Sequence, residues 1–117
     1  MPVREFEYKY RRLVNEYVAP PKSGSRLARF LKETEAMVKD QDDLPAQDPH
    51  GLMKVFEAKA RLFSARLAAL ASLFREESRF GLYHDRVDYP EKDDAKWQKR
   101  VLISLGPDGP RIEKERA

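Results

Sequence analysis

Few residues of this 117-residue sequence are of types that could perform chemistry, and histidine is the first to consider. His84 lies in the string Leu-Tyr-His-Asp-Arg, where its near-neutral titration and its charged neighbours would suit proton transfer. A lone histidine in such a segment is more often a structural hydrogen-bonding group. The carboxylate pairs at positions 76–77 and 93–94 are adjacent only in sequence, and helical neighbours point about 100° apart. The sequence therefore predicts no catalytic residue.

Metal and cofactor chemistry would need residues that the sequence lacks. Without cysteine there is no disulfide framework, thiolate nucleophile or cysteine-ligated metal site, which suits a protein of the reducing cytoplasm. His50 is predicted at the surface, in the first turn of a helix, and lies far from His84 in sequence. Glycine-rich dinucleotide and phosphate loops, the Gly-x-Ser-x-Gly elbow and the His-Glu-x-x-His motif are also missing. We therefore expect a cytoplasmic chain that binds no metal and no cofactor by itself.

Length and charge limit the domain organisation. A chain of 117 residues can build one hydrophobic core, so a single domain is expected over residues 1–117. No apolar run approaches the roughly 18 residues that a membrane span requires. The net charge of +3 is uneven, because residues 1–32 hold eight basic and three acidic side chains, whereas residues 33–57 hold two and seven. These two segments are expected to face each other or to face different partners.

A basic face on the first two predicted helices would suggest a nucleic-acid partner. Its candidate members are Arg11, Arg12, Lys22, Arg26 and Arg29. A solvated helix surface is the simpler interpretation, because phosphate binding requires basic groups gathered on one face, with aromatic side chains between them where bases stack. We therefore expect no nucleic-acid partner.

Apolar side chains at spacings of three and four predict two amphipathic helices in the first third of the chain. The first covers residues 3–18 and ends at residues 19–21, Ala-Pro-Pro, because proline lacks the amide proton and disfavours helix in the residue before it. The second begins at the capping hydroxyl groups of residues 23–25 and ends near residues 39–40. Its apolar stripe is predicted to be Leu27, Phe30, Leu31, Thr34 and Val38.

A third helix is predicted to be the longest and most apolar. Asp48 is a suitable N-cap and Pro49 a suitable first helical residue, and no further proline occurs before Phe74. We expect this helix at the centre of the core. Its apolar positions are Leu52, Val55, Phe56, Leu62, Phe63, Leu67, Leu70 and Phe74. The fold class predicted is mostly α, a three-helix bundle over about residues 3–75.

The last third of the chain has a different character. Residues 76–97 are rich in charge and aromatic residues, and their turn formers Gly81 and Pro90 predict an ordered but irregular segment. A β-branched run, a Gly-Pro-Asp-Gly turn and a possible return strand then predict a short C-terminal β-hairpin at about residues 98–115. An isolated hairpin is marginal in water, so we expect a partner to cover it.

The irregular segment and its borders hold the candidate partner interface. Arginine, tyrosine and tryptophan are over-represented among interface hot spots, and arginine forms forked hydrogen bonds to carboxylates. These side chains could equally tie the long helix to the hairpin, and the same residues could do both. The candidates are Arg75, Glu77, Ser78, Arg79, His84, Arg86, Asp88, Tyr89, Pro90 and Trp97.

The same string resembles the C-terminal domain of the succinate dehydrogenase and fumarate reductase flavoproteins, a family that includes the adenylylsulfate reductase alpha subunit. The family pattern is R-x-E-S-R, a few residues, H-x-R-x-D-x-P-x-x-D-D, and then an aromatic residue and a strand pair. Its fixed positions are met by Arg75, Glu77, Ser78, Arg79, His84, Arg86, Asp88, Pro90, Asp93, Asp94 and Trp97. The upstream layout of three helices is also similar, so the resemblance covers essentially the whole chain.

The resemblance implies a small, spectrin-repeat-like three-helix bundle with a β-tail that packs on a larger FAD-binding portion. The dinucleotide-binding glycines, the substrate-binding cap and the proton-delivering arginine of the family belong to that portion. Because the sequence begins with Met1 directly before the bundle, the chain is expected to be a separate subunit or an excised domain.

The function implied is that of a non-catalytic subunit or domain that completes an FAD-dependent oxidoreductase. It would contact the FAD-binding large subunit and help to position an electron-transfer partner, such as a ferredoxin-like iron–sulfur subunit. Arg79 and Arg86 would form ion pairs with the large subunit, Trp97 would be an apolar anchor and His84 a hydrogen-bonding group. The alternative is a free-standing protein- or nucleic-acid-binding helical module with no redox role.

Overall fold

Three long helices and a hairpin make up most of the computed structural model, which describes residues 2–79 and 84–115. Helix α1 spans Val3–Leu13 and continues as a π-helical turn over Val14–Val18, α2 spans Gly24–Asp40, and α3 spans Pro49–Phe74. The mostly helical fold predicted from the apolar spacing is confirmed. The prediction that Gly81 interrupts a helix concerns a position outside the described residues.

The starts of α2 and α3 follow from local capping. The Ser23 hydroxyl oxygen accepts a hydrogen bond from the Arg26 backbone N–H at 3.2 Å, and the Asp48 carboxylate accepts one from the Gly51 N–H at 2.6 Å. Each side chain satisfies an amide that has no partner inside the helix, which stabilises a helix by about 1 kcal/mol. Both predicted N-caps are confirmed.

The core lies between the three helices. Helix α1 contributes Phe6, Tyr10 and Leu13 to the core. Helix α3 contributes the small residues Ala58 and Ala69 to the same cluster, and their short side chains let the helices approach closely. The core side chains of α2 are Leu27, Phe30 and Met37. The stripe predicted for α2 is therefore wrong at its last position, because Val38 is exposed and Met37 continues the inward spacing.

Helix α3 has two apolar faces, and only one of them is in the core. Val55 and Leu62 are buried, as predicted, whereas Leu52, Phe56 and Phe63 are 46%, 59% and 53% exposed. The two sets lie on different sides of the helix because each residue advances about 100° around the axis. The prediction that the whole apolar stripe of α3 lies in the core is wrong.

The C-terminal hairpin consists of β1, Val101–Gly106, and β2, Gly109–Lys114, which pair antiparallel with Ile103 opposite Ile112. Gly109 has a φ of 115°, a backbone conformation that side-chain-bearing residues rarely adopt. The predicted hairpin is confirmed. One short helix, α4 at Asp94–Trp97, lies within the segment predicted to be irregular, and the Asp93 side chain caps it.

No helix in the described ranges is both long enough and apolar enough to cross a membrane.

Candidate functional site

The charged residues that follow α3 form a compact polar cluster, here called the motif cluster, within residues 75–97. At its centre is Glu77, whose side chain is fully buried. Its carboxylate accepts hydrogen bonds from Arg75 Nη1 at 2.7 Å, from Arg79 Nε and Nη2 at 2.7 and 2.9 Å, and from the Asp93 backbone N–H at 2.9 Å. Arg79 Nη2 also donates to Asp94 at 2.7 Å. The buried charge is therefore fully paired.

Arg75 extends the motif cluster to the hairpin. Its guanidinium group donates to the Trp97 carbonyl at 2.8 Å and to the Lys99 carbonyl at 2.6 Å. The Trp97 ring packs edge-on against Phe74, with 5.4 Å between the ring centroids, and the Lys114 ammonium nitrogen lies 3.9 Å from its centroid. These contacts fix the end of α3, α4 and the start of the hairpin to one another.

Arg86 caps the C-terminal end of α3. Its side chain is 2% exposed, and Nη1 donates to the carbonyl oxygens of Ser72, Leu73 and Arg75 at 2.9, 3.0 and 3.3 Å. These carbonyls belong to the last turn, where a helix leaves acceptors unpaired and where its dipole favours a positive charge. The opposite edge of the guanidinium group donates to both carboxylate oxygens of Asp88, at 2.9 and 2.7 Å.

Asp88 connects this arginine to the beginning of α2. Its Oδ2 accepts a hydrogen bond from the Gly24 backbone N–H at 2.9 Å, at the positive end of the α2 dipole. A Cβ at Gly24 would lie 3.0 Å from Asp88 Oδ2 and 3.1 Å from Arg86 Nη2, so glycine allows this close approach. The Arg86–Asp88 pair thus links the end of α3 to the start of α2.

His84 and Lys22 form a second buried contact between distant segments. His84 Nε2 lies 3.1 Å from the Arg75 carbonyl oxygen and donates to it, which leaves Nδ1 to accept from Lys22 Nζ at 3.4 Å. Lys22 also donates to the Ser72 hydroxyl at 3.0 Å, and its backbone bonds to Asp85 and Val87. The residue following the two prolines is therefore held against the end of α3.

Ser78 holds the returning segment in place. Its hydroxyl oxygen accepts from the Arg86 N–H at 2.9 Å and donates to the Tyr89 carbonyl at 2.8 Å. Beyond it the segment reaches the surface, where Tyr89 is half-exposed beneath the Arg86 guanidinium group and Pro90 is exposed. The Tyr-Pro turn is thus one exposed part of the motif, together with Asp88 and Asp94.

Hydrogen bonds dominate the titration of the two acidic groups. Burial by itself would raise the pKa of Glu77, but the hydrogen bonds from Arg79, the Asp93 amide and Arg75 lower that pKa to about 2. The two hydrogen bonds from Arg86, aided by that from Gly24, lower the pKa of Asp88 to about 2. Both groups are therefore ionised at neutral pH.

The pKa values of the two buried basic groups are also lowered, and here burial is the main cause. Burial, with Lys22, Arg75 and Arg86 nearby, lowers the pKa of His84 against the raising effect of its hydrogen bond to the Arg75 carbonyl. Burial and the positive charge of Arg86 lower the pKa of Lys22. His84 is thus a neutral acceptor, which is the state that its contact with Lys22 needs.

We expect the protein to lose stability in acid through these groups. The pKa of Glu77 lies below its ordinary 4.5, so its contribution is complete above pH 4.5 and is lost as the pH falls towards 2. The lowered pKa of His84 has the same sign, because the unfolded chain gains that proton first as the pH falls below about 6.5. Urea denaturation at a series of pH values should show a loss of about 3 kcal/mol from Glu77. A Glu77→Gln variant that keeps the wild-type slope between pH 4.5 and 2 would contradict this assignment.

The motif cluster can fix segments in place more readily than it can perform a reaction. Each buried charged group in these contacts already has a hydrogen-bonding partner: a guanidinium group for Glu77, Asp88 and the end of α3 for Arg86, and the Ser72 hydroxyl for Lys22. None of them is left as an unpaired base or nucleophile. In residues 2–79 and 84–115, no group of three or more histidine, cysteine or acidic side chains could hold a metal ion.

The structure brings all ten predicted interface residues together around the end of α3. Most of them contact one another, and Arg86, His84 and Trp97 are buried inside the chain. That Arg79, Arg86, His84 and Trp97 contact a large subunit stays a prediction. Sequence reasoning did not place three further residues beside the cluster: Ser72 of α3, Gly24 at the start of α2, and Lys22 in the loop before α2.

The five basic residues considered as a phosphate-binding face have different surroundings. Lys22 is buried against the motif cluster, and Arg29 Nε pairs with Glu33 one turn later at 2.7 Å. Two of the five candidates for a phosphate-binding face are thereby engaged within the chain. The expectation of a solvated helix surface is therefore wrong for Lys22, whereas the other four candidates are exposed as expected: Arg11, Arg12, Arg26 and Arg29.

In this fold a polar cluster joins a three-helix bundle to a C-terminal hairpin. It is the fold of a flavoprotein C-terminal domain. The family model described as fumarate reductase flavoprotein C-term matches residues 7–117. The chain belongs to this family of succinate dehydrogenase and fumarate reductase flavoproteins. The resemblance carried by the motif is therefore confirmed.

Individual relatives support the same assignment. The chain is 31% identical over 121 aligned residues to a fumarate reductase flavoprotein subunit of Helicobacter pylori, covering 97% of this chain and 17% of the relative. It is 38% identical over 73 residues to the adenylylsulfate reductase subunit alpha of Megalodesulfovibrio gigas, covering 62% and 11%. The structure of adenylylsulfate reductase from Archaeoglobus fulgidus superposes with a TM-score of 0.82 at 29% identity, over 88% of this chain and 17% of that one. The chain thus spans less than a fifth of these proteins.

Proposed function

We propose that this chain is a non-catalytic subunit or domain that completes an FAD-dependent oxidoreductase of its family by packing on the flavin-binding portion. The observation that carries the proposal is an apolar surface that the chain leaves uncovered. In the proposal, FAD is bound by the larger portion, and this domain supplies a rigid closing surface. A ferredoxin-like iron–sulfur subunit is the proposed electron-transfer partner of the assembly.

The uncovered surface, here called the α3–hairpin surface, runs along the outer face of α3 and onto the hairpin. Phe56 and Phe63 are more than half-exposed, and Leu105 is 79% exposed. A groove of about 290 Å³ joins the two elements, lined by Phe63 and Leu67 on one side and Leu105 on the other. Large contiguous apolar areas of this kind mark protein interaction sites.

The motif cluster supports this surface from behind. It fixes the end of α3 to the hairpin through Arg75 and Trp97, so the two halves of the α3–hairpin surface keep one geometry. A preorganised surface loses less conformational entropy on binding. Tyr89 and Pro90 are exposed members of the predicted interface, and we propose them as direct contacts to the flavin-binding portion.

The proposal predicts that flavin-containing protein co-purifies with the tagged chain from its host cells. Replacing Phe56 and Phe63 together by serine should reduce the co-purified flavin, measured by its visible absorbance, by about tenfold or more, because two aromatic anchors are lost. Both side chains are exposed, so far-UV circular dichroism of the chain should not change.

Tyr8→Ser is the matched control, because Tyr8 is an equally exposed aromatic residue on α1, away from the α3–hairpin surface. Flavin recovery with this variant should equal the wild type. Equal recovery with the double phenylalanine variant would refute the proposed surface. Tyr89→Ser tests the motif separately, and it is preferable to Trp97→Ala because the buried Trp97 also holds the hairpin.

A further inference from the structure

A second groove, of about 500 Å³, lies at the base of the hairpin, on other residues than the α3–hairpin surface. Four of its lining side chains are basic, Arg75, Arg79, Lys99 and Arg100, and one, Glu115, is acidic. It is here called the basic groove. Because it uses none of the apolar residues of the α3–hairpin surface, it can hold a ligand of different chemistry.

The positive charge of the basic groove is only partly neutralised within the chain. Arg75 and Arg79 share the buried Glu77, Arg79 also pairs with Asp94, and Arg100 pairs with Glu115. Lys99 is exposed, and no ion pair to it is seen in the described part of the chain. The groove therefore presents a cation that an incoming carboxylate could pair with.

A further cation and an apolar side chain extend the basic groove. Lys114 lies beside it on the Trp97 ring, with 3.9 Å between Nζ and the ring centroid. Leu102, which lines the groove, is 43% exposed. The groove thus combines the Lys99 side chain with an apolar contact at Leu102, and Lys114 adds a second cation next to its Trp97 wall. A segment carrying both acidic and apolar residues would require this combination.

We propose that the basic groove binds an acidic segment of a protein partner. Carboxylates of the segment pair with Lys99 and Lys114, and an apolar side chain of the segment packs on Leu102. A nucleic acid fits less well, because stacking needs an accessible aromatic face. The Trp97 ring is buried, with Phe74 at its edge and Lys114 above it.

The test uses the full 117-residue chain and a labelled peptide in which glutamate alternates with leucine. Fluorescence anisotropy should show binding that weakens with salt, as expected for paired charges. Lys99→Glu should weaken the binding by about tenfold or more, since it replaces attraction by repulsion. Leu102→Ser should weaken it without changing its salt dependence, and this variant keeps the test valid if Lys99→Glu alters the hairpin.

Lys32→Glu is the matched control, because it makes the same charge change at an exposed position of α2 that does not line the groove. Its binding should stay within about twofold of the wild type. The proposal is overturned if Lys32→Glu weakens binding as much as Lys99→Glu, or if a peptide with glutamine in place of glutamate binds equally well. It is also overturned if inorganic phosphate displaces the peptide completely, or if single-stranded DNA binds more tightly and depends on Lys99.

Discussion

Replacing Glu77 by glutamine should lower the free energy of unfolding by about 3–5 kcal/mol, because the change removes one partner of a buried ion-pair network. The carboxylate of Glu77 receives hydrogen bonds from Arg75, Arg79 and the Asp93 amide. An uncharged amide would leave two guanidinium groups without their central counter-charge. Urea denaturation monitored by circular dichroism at neutral pH measures the effect.

The neighbouring Glu76 provides the control for this variant. It is exposed, whereas Glu77 is fully buried, so Glu76→Gln should change the free energy of unfolding by no more than about 0.5 kcal/mol. Tryptophan fluorescence gives a second signal, because Arg75 joins Glu77 to the Trp97 backbone. A Glu77→Gln variant as stable as Glu76→Gln would show that the cluster is not held by this charge.

Arg86→Met should also cost about 3–5 kcal/mol, since the methionine fills part of the space but removes a buried charge and all its hydrogen bonds. Three carbonyl groups at the end of α3 would lose their donor, and Asp88 would lose its partner. Arg86→Lys should recover only part of the loss, because an ammonium group cannot reproduce the forked contacts of a guanidinium group. Denaturant unfolding ranks the three proteins.

Hydrogen exchange separates the capping role of Arg86 from a general loss of packing. Asp88 holds the Gly24 amide only while Arg86 orients its carboxylate, so that amide should exchange faster in Arg86→Met. Arg12→Met is the matched control, being an exposed arginine of α1, and should alter neither stability nor this exchange rate. If the Gly24 amide stays protected in Arg86→Met, the proposed link between the two helix ends is incorrect.

The helices and the hairpin were predictable because their signals are local. Ser23 and Asp48 cap the helices that they precede, and a Gly-Pro-Asp-Gly turn joins the strands. The inner face of α3 was not predictable in the same way. Both of its faces are apolar, and which one enters the core depends on where α1 and α2 pack, which the spacing within α3 does not contain.

The sequence predicted most of the residues that form the candidate site, but it did not predict which of them bond to one another. Charged and aromatic residues after α3 marked the segment, and the family pattern named most of its members. That Glu77 is the shared acceptor depends on how the segment reverses to bring the Asp93 amide and Asp94 beside it. Lys22 had no local signal, because its burial is created by Ser72 and His84, 50 and 62 residues further along the chain.

The contacts that join α2 and α3 to the motif cluster connect residues far apart in the sequence, which limits the order in which the chain can fold. The Gly24 amide is hydrogen-bonded only when Asp88, 64 residues later, is in place. The last carbonyl groups of α3 likewise need Arg86 as their donor. During synthesis from the N-terminus, the helices emerge before the segment that closes their ends. Until that segment follows, the bundle is an open intermediate, and its completion requires long-range contacts that form slowly. We therefore expect a chain truncated before residue 84 to be cleaved by proteases faster than the 117-residue chain, because the ends of α2 and α3 would lose these contacts.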